Sequence, residues 1–327
     1  MPIPQIRISV IVCVFNRQDF IAPCLTSILA QDRDDYELIV IEDGSTDKTT
    51  SIIESFSDPR IRLFRHAVNR GMCFSRNQGI SQAKGKIIAF TDSDCIVDPR
   101  WLSELIKPFE IDNDIMIVGG KIVDPIARTY WEKVNSGMNH IAPASGYVAK
   151  IIGCNMAFQQ RFLMDNPFDE NLPAADEWDL CIRCERSHKK VFYTDKAIVT
   201  HYHRSSLISS LEQHFRFGYS TAALNIKHKQ FPYFTYGTLS LLSILLSFVL
   251  EKWVHPFYFL MIISCFFYLG LIGYWNAWGA KHKRKEWITT YPGFALVFSA
   301  FCLGNLYYPV DLIKQCWVSF KIKFSGK

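Results

Sequence analysis

Two carboxylates one residue apart, Asp92 and Asp94, close the apolar run Ile87-Ile88-Ala89-Phe90-Thr91. Buried strands of parallel sheets end at the ligand-binding edge, and hard cations such as magnesium or manganese prefer carboxylate oxygens. An Asp-x-Asp in that place is expected to hold a divalent metal against a diphosphate, although acidic residues also cap helices and fill turns. Other groups with chemistry in them recur along the chain. Glu42-Asp43-Gly44-Ser45 is an acidic turn, and Asp176-Glu177-Trp178-Asp179 places three carboxylates in one short segment. His201 and His203 flank a tyrosine just before Arg204, and a His-x-His beside an arginine at a strand end is a candidate functional pair.

These groups need elements to position them. Ile8 to Phe15 is a β-rich run ending at Asn16-Arg17, after which Phe20, Ile21, Cys24, Leu25, Ile28 and Leu29 recur at helical spacing. Leu38 to Ile41 predicts a second strand running into the acidic turn, where Gly44 permits a tight bend and Ser45 or Thr46 can cap the next helix. A third strand at Ile61 to Phe64, a helix at Phe74 to Ala83 and a fourth strand at Lys86 to Thr91 follow. Asp98-Pro99-Arg100-Trp101 reads as a helix start with aspartate at the cap and proline first. Ile115 to Gly119 and Gly153 to Phe158 read as strands, Lys121 to Ser145 as a less regular lid or acceptor-facing segment, and Val191 to Val199 as a last strand. The acids of 176–179 fall in the first turn of a helix, at the positive end of its dipole. Alternating strands and helices predict an α/β fold, its mostly parallel sheet covered by helices on both faces.

The 327 residues change character near Gln230. Before it, charged and apolar residues mix in globular proportion; beyond it, Phe231 to Leu250, Trp253 to Ala280 and Trp287 to Val310 contain no Asp, Glu, Lys or Arg. Each could cross a bilayer, which takes about 20 mostly apolar residues. The expected division is a catalytic domain over 1–205, an amphipathic interface helix or linker over 206–230, and a membrane region over 231–327. That region holds hydrophobic segments at 231–250, 254–278 and 288–310 and a basic tail. Lys227-His228-Lys229 and the run Lys281 to Lys285 fall on one face, which the positive-inside rule makes cytosolic. No signal peptide is expected ahead of the first strand. The chain thus reads as a multi-pass protein of the cell membrane with its catalytic part on the cytoplasmic face. Lys314, Lys321 and Lys323 disagree with a full third crossing, so that segment is either a span or a re-entrant loop.

Ten cysteines are scattered without a paired framework, which suits a reducing compartment. The one C-x-x-C, Cys181 and Cys184, lacks a second pair and reads as helix packing rather than a zinc site. A net charge of +5 with no stripe of basic and aromatic residues gives no reason to expect nucleic acid as a partner.

The run Val12-Cys13-Val14-Phe15-Asn16-Arg17, the Glu42 to Ser45 turn, Asn69-Arg70-Gly71 with Phe74-Ser75-Arg76-Asn77-Gln78-Gly79, the Asp92/Asp94 pair and the 176–179 acids stand in an order that resembles glycosyltransferase family 2. The resemblance covers roughly Ile6 to Tyr219 and implies an inverting enzyme of GT-A fold. It implies a nucleotide-sugar donor, UDP-linked, met by Phe15, Asn16, Asp43, Asn69, Arg76 and Asp92. Asp43 would accept a hydrogen bond from the uracil imide, which suits an acceptor-only carboxylate. Arg76 would face the nucleotide, with Asn77 and Gly79 shaping the pocket. A divalent cation, Mn2+ or Mg2+, would sit on Asp94, with Asp92 at the ribose or the metal and His201 or His203 completing the contact. Register places Glu177 where the family keeps its catalytic base, with Asp176 or Asp179 serving instead if the loop shifts. Asp179 and Arg183 also stand four apart and can simply pair on a helix.

Gln213-His214-Phe215-Arg216-Phe217 resembles the Gln-x-x-Arg-Trp motif of processive synthases, which implies acceptor contacts from Gln213, Arg216 and Phe217. The same run, Leu207 to Leu224, also suits a helix docked on lipid headgroups. The implied reaction moves a sugar to a lipid-linked or polysaccharide acceptor at the membrane. A close variant uses polyprenyl phosphate as acceptor, and a reading of another class is an inactive GT-A scaffold.

Overall fold

The computed structural model describes residues 6–136 and 144–229. They fall into two compact units, one of residues 6–127 and 144–203, the other of residues 128–136 and 204–229. The three charge-free segments, the basic run 281–285 and the tail lie outside the described residues. Among the described residues no helix is long and apolar enough to cross a membrane.

The first unit is built on strand β1 (Ile8–Val14), buried over its whole length. Side chains alternate across a strand, and here both faces are covered. Ile8, Val10, Val12 and Val14 pack with α1 (Ile21–Leu29), α2 (Thr49–Glu54) and α4 (Trp101–Ile111). Ile11 and Cys13 pack with α3 (Met72–Gln82), α6 (Gln160–Asp165) and α7 (Asp176–Arg186). Ser9 is the polar exception. Its hydroxyl donates to Glu37 Oε1 at 2.7 Å and accepts from the backbone N–H of Gly85 at 2.9 Å, so it staples the sheet to the turn before the fourth strand.

The sheet runs in the order β3 (Ile61–Arg65), β2 (Tyr36–Glu42), β1, β4 (Ile87–Thr91), β8 (Asn155–Gln159), β6 (Ile115–Val123), β9 (Lys190–His201), β5 (Cys95–Val97), with β7 (Gly146–Tyr147) on β9. The sheet is mixed, with more parallel than antiparallel residue pairings. The first four strands in this order are parallel, as is β6 with β9, but β8 runs against both its neighbours and β5 and β7 run against β9. Parallel neighbours require a crossover, usually helical. Residues 92–94 join β4 to β5 with no helix between, and β8 follows an irregular stretch rather than a helical crossover. The reversal of β8 matters for the site, because it delivers the loop before β8 to the edge where β1, β2 and β4 end.

Other boundaries differ for local reasons. Neither Ser45 nor Thr46 caps α2; the Asp47 carboxylate accepts from the N–H of Thr49 at 2.9 Å, while Ser45 and Thr46 bond to Asn16. Asp98 and Pro99 form a turn ahead of α4, with Arg100 at the N-cap, its N–H donating to Asp98 at 2.9 Å. The Lys121 to Ser145 stretch is more regular than expected. β6 continues to Val123, past a register shift against β9 at Gly120/Lys121, and α5 (Tyr130–Ser136) follows. A capping box marks the start of α5: Thr129 Oγ1 accepts from the N–H of Glu132, and Glu132 returns the bond to the N–H of Thr129, both at 3.1 Å.

The second unit pairs α5 with α8 (Leu207–His228). Asn135 Nδ2 joins them by donating to the Ser210 hydroxyl at 2.8 Å and the Arg204 carbonyl at 3.1 Å. Ser206 caps α8, Arg216 pairs with Glu212 across one turn, and Gln213 and Phe217 are half-buried on the same helix.

Gly79 shows how closely α3 lies on the sheet: a Cβ there would come within 2.7 Å of Ile11 Cγ2. Overpacking a close-fitting core costs about 1–3 kcal/mol. Gly79→Ala is therefore expected to lower the denaturant midpoint of the purified protein by a corresponding amount; an unchanged midpoint would show that α3 has slack.

Candidate active site

The carboxyl ends of β1, β2, β4 and β9 converge with the loop before β8 and the start of α7. Asn16, just past β1, adopts a left-handed φ of 51°, a conformation that asparagine tolerates better than most residues. That bend lets Asn16 Oδ1 accept from the N–H of Thr46 at 2.8 Å while the N–H groups of Asn16 and Arg17 bond to Ser45 Oγ and Thr49 Oγ1. Phe15 stays exposed beside it.

Asp43 follows β2 and is buried. Its Oδ1 accepts from His66 Nδ1 at 2.6 Å and from the N–H of Arg70 at 2.8 Å, and its Oδ2 accepts from the N–H of Gly71 at 2.9 Å. In this structure the carboxylate anticipated for a base imide shapes its own pocket, holding the loop in which Asn69 is exposed. His66 was not anticipated from the sequence; its other ring nitrogen lies 2.5 Å from Gln78 Oε1 on α3. Gly44 is needed beside it, with φ 76° and backbone atoms of Val68 and Asn69 within 2.9 Å of any Cβ.

Arg76 is the central cation. It projects from α3, is 5% exposed, pairs with Asp176 and lies 3.4 Å from Asp92 Oδ1. Phe90 and Phe168 flank its guanidinium at 5.9 and 5.3 Å from their centroids. Burial opposes its charge, but Asp176 and Asp92 outweigh that and hold its pKa above the ordinary guanidinium value. Asn77 fixes α3 at this place, donating to the Phe168 carbonyl at 3.0 Å and accepting from its N–H at 2.9 Å.

Asp92, Asp94 and His201 bring one ligand atom each to within 4.8 Å of one another. Two carboxylate oxygens and an imidazole nitrogen are a donor set that manganese or magnesium accepts, so the residues fit the expected ion. Burial raises the pKa of Asp92, with Arg76 opposing and Asp94 adding to the rise. Asp94 Oδ1 lies 3.5 Å from His201 Nε2, and its Oδ2 lies 3.4 Å from Arg17 Nε, a contact absent from the sequence reading. His201 is pushed up to about 10: burial disfavours its charge, but the adjoining Cys154 and the hydrogen bond and charge of Asp94 prevail. His203 packs edge-on against His201, with ring centroids 4.9 Å apart, but its Nε2 bonds Asp124 Oδ1 at 2.6 Å and it contributes no atom to the cluster of Asp92, Asp94 and His201.

The three acids of α7 separate by environment. Ala175, left-handed at φ 55°, turns the chain into the helix. Asp176 is committed to Arg76. Asp179 is fully buried and pairs with Arg183 Nη2 at 2.8 Å, which in turn donates to the Pro167 carbonyl at 2.7 Å, so its place is structural rather than acceptor-facing. Glu177 remains. Burial pushes its carboxyl up to about 8, the Asp176 charge adding to the rise and Arg76 opposing it. Gly153 on the loop before β8 leaves room for it, since a Cβ there would meet Glu177 Oε2 at 3.3 Å. Cys181 and Cys184, about one and two turns further along this helix, are buried free thiols, as packing residues would be.

Glu177 keeps its proton in the folded chain up to about pH 8, whereas an ordinary glutamate releases it near 4.5. Its contribution to stability is complete below 4.5 and is lost as pH rises through about 8. Glu177→Gln is therefore expected to melt with the parent protein below pH 4.5 and above it in temperature at alkaline pH. A constant melting difference across that range would contradict the buried placement of this carboxyl.

Residues 9–166 match the family described as Glycosyl transferase family 2. A glucosyl-dolichyl phosphate glucuronosyltransferase of Haloferax volcanii is 27% identical over 248 residues, 68% of this chain and 79% of that protein. An uncharacterized glycosyltransferase of Haemophilus influenzae is 37% identical over 114 residues, 34% of this chain; the match spans only about a third (35%) of that relative's length. Among solved structures, a mannosyltransferase from Pyrobaculum calidifontis in complex with GDP-Man and Mn2+ superposes with a TM-score of 0.61 at 18% identity, covering 93% of this chain and 88% of that one. That likeness concerns the fold. Residues 9–166, just under half of the chain, thus resemble a glycosyl transferase family 2 domain, the fold is GT-A-like, and the chain is a glycosyltransferase.

Proposed function

We propose that the protein is a metal-dependent inverting glycosyltransferase that moves a sugar from a nucleoside diphosphate sugar, UDP-linked, to a lipid-linked or polysaccharide acceptor at the cytoplasmic face of the cell membrane. The observation that carries this reading is one cleft edge holding three distinct groups: the Asp92, Asp94 and His201 donor set, the buried Arg76, and a protonatable Glu177. The name of the archaeal relative, which acts on glucosyl-dolichyl phosphate, supports a lipid-linked acceptor. The charge-free segments beyond residue 230 support a membrane setting.

Asp92, Asp94 and His201 would hold the cation, which supplies charge neutralisation to the diphosphate when bound. Arg76, held by Asp176, presents a fixed positive charge towards the nucleotide at no cost of reorientation during reaction. Deprotonated Glu177 takes the proton from the acceptor hydroxyl. The acceptor oxygen then forms its bond to the anomeric carbon from the face opposite the nucleoside diphosphate, whose bond to that carbon breaks, and the configuration inverts. Asp176 is less suited to the proton because its lone pairs already serve Arg76. A polyprenyl phosphate acceptor is already anionic and needs no strong base, so the two acceptor classes differ in their need for Glu177.

Two measurements test this. In calorimetric titrations of the detergent-purified protein with UDP, GDP and dTDP, one nucleotide is expected to bind only with manganese present, and Asp94→Ala is expected to abolish that binding. No metal-dependent binding of any nucleotide would leave the scaffold reading. For transfer, kcat/KM is expected to rise with pH through about 8 as Glu177 ionises. Glu177→Gln is expected to remove that limb and lower kcat by about 10²- to 10⁴-fold with nucleotide affinity retained. Full activity in Glu177→Gln would favour the phosphate acceptor.

A further inference from the structure

A second donor cluster of different chemistry adjoins the carboxylates. Cys95 on β5 and His201 on β9 are directly opposed in the antiparallel pairing of those strands. Cys154, the residue before β8, completes a set whose ligand atoms all lie within 4.8 Å of one another. Both cysteines are buried and free of disulfides, and their thiols hydrogen-bond each other. The scaffold beneath them is firm. Thr91 Oγ1 donates to the Cys154 carbonyl at 3.0 Å, and the adjoining Asn155 accepts from Trp101 Nε1 at 2.8 Å and donates to the Lys121 and Ala197 carbonyls, each at 2.9 Å.

The two nitrogens of His201 have different surroundings. Nε2 lies 3.5 Å from Asp94 Oδ1, while Nδ1 is buried with no hydrogen-bond partner. A buried polar atom left unpaired in a native fold calls for an explanation, and an absent ion is one of the standard ones. We propose that Cys95, Cys154 and His201 Nδ1 form a binding site for a thiophilic divalent cation of the zinc class, and that filling it disables the neighbouring hard-metal site. Thiolate and imidazole donors select zinc over magnesium and manganese. Two thiolates and one imidazole leave a fourth tetrahedral position for water, and binding releases the two thiol protons and the Nδ1 proton of the imidazolium to solvent. With Nδ1 on the cation, Nε2 keeps the ring's proton and donates it to Asp94, the carboxylate–histidine–metal arrangement that commonly orients such ligands. A neutral imidazole in that state has no lone pair left for an ion between Asp92 and Asp94. The inhibitory consequence rests on the metal-dependent reading of those carboxylates; the thiolate site does not.

The full-length protein, reduced with a non-chelating phosphine and freed of metal, would be titrated with Cd2+ and Co2+. One equivalent is expected to produce a thiolate-to-metal charge-transfer band, which Cys95→Ser and Cys154→Ala each abolish and Asp92→Asn retains. X-ray absorption of the zinc-loaded parent protein needs no variant and is expected to find two sulfur neighbours; oxygen and nitrogen neighbours alone would overturn the proposal, as would a band that survives both cysteine variants. Zinc is further expected to weaken manganese-supported nucleotide binding about 10- to 100-fold, and Cys154→Ala to relieve that effect. A protein that binds no nucleotide yet gives the band would retain the site and lose only its regulatory consequence.

Discussion

The fold's central constraint is a positive charge buried from solvent. Arg76 is enclosed by α3, the end of β4 and the start of α7, and it stays charged because Asp176 and Asp92 face it. Removing one partner from a buried ion pair typically costs about 3–5 kcal/mol, because the other is left uncompensated. Three segments distant in the sequence are thereby obliged to meet. Their meeting also sorts the acids: Asp176 is neutralised, Asp92 is shared with the metal cluster, and Glu177 is left beside them in an apolar setting that favours its protonated form.

The sheet decides which loops can share this edge. An all-parallel sheet would bring only strand ends to the site. With β8 reversed, the loop before it reaches the same edge, carrying Gly153 against Glu177 and Cys154 against His201. The antiparallel pairing of β5 with β9 in turn ties the residue after Asp94 to His201, so that carboxylate and the imidazole are held on one framework. Asp94, His201 and the loop before β8 are thus parts of one hydrogen-bonded framework, and a change of register in β9 would displace them together.

Backbone geometry carries the rest. Left-handed residues at Asn16, Gly44 and Ala175 turn the chain sharply where β1, β2 and the approach to α7 leave the sheet or enter the helix. Such conformations are uncommon for Ala, and they cluster at functional sites where surrounding contacts hold them. Asp43 supplies those contacts beside Gly44 by gathering His66 and the Arg70-Gly71 backbone around its carboxylate.

Apolar runs ending in acids, glycine turns and helical spacing are local, so the order of strands and helices, Asp92 with Asp94, the Glu42 to Ser45 turn and the acids opening α7 were legible from the residues alone. The capping box at Thr129 to Glu132 was equally local, and would have revealed α5. Partnership was not legible, because it depends on strand direction and register, which are set by which apolar faces find each other across the whole chain. Only the tertiary structure gave His203 to Asp124 while leaving His201 to Asp94, set His66 against Asp43, and assembled Cys95, Cys154 and His201. None of these pairings leaves a periodic trace in the sequence, since a side chain's partner follows from packing at long range and not from its neighbours in the chain.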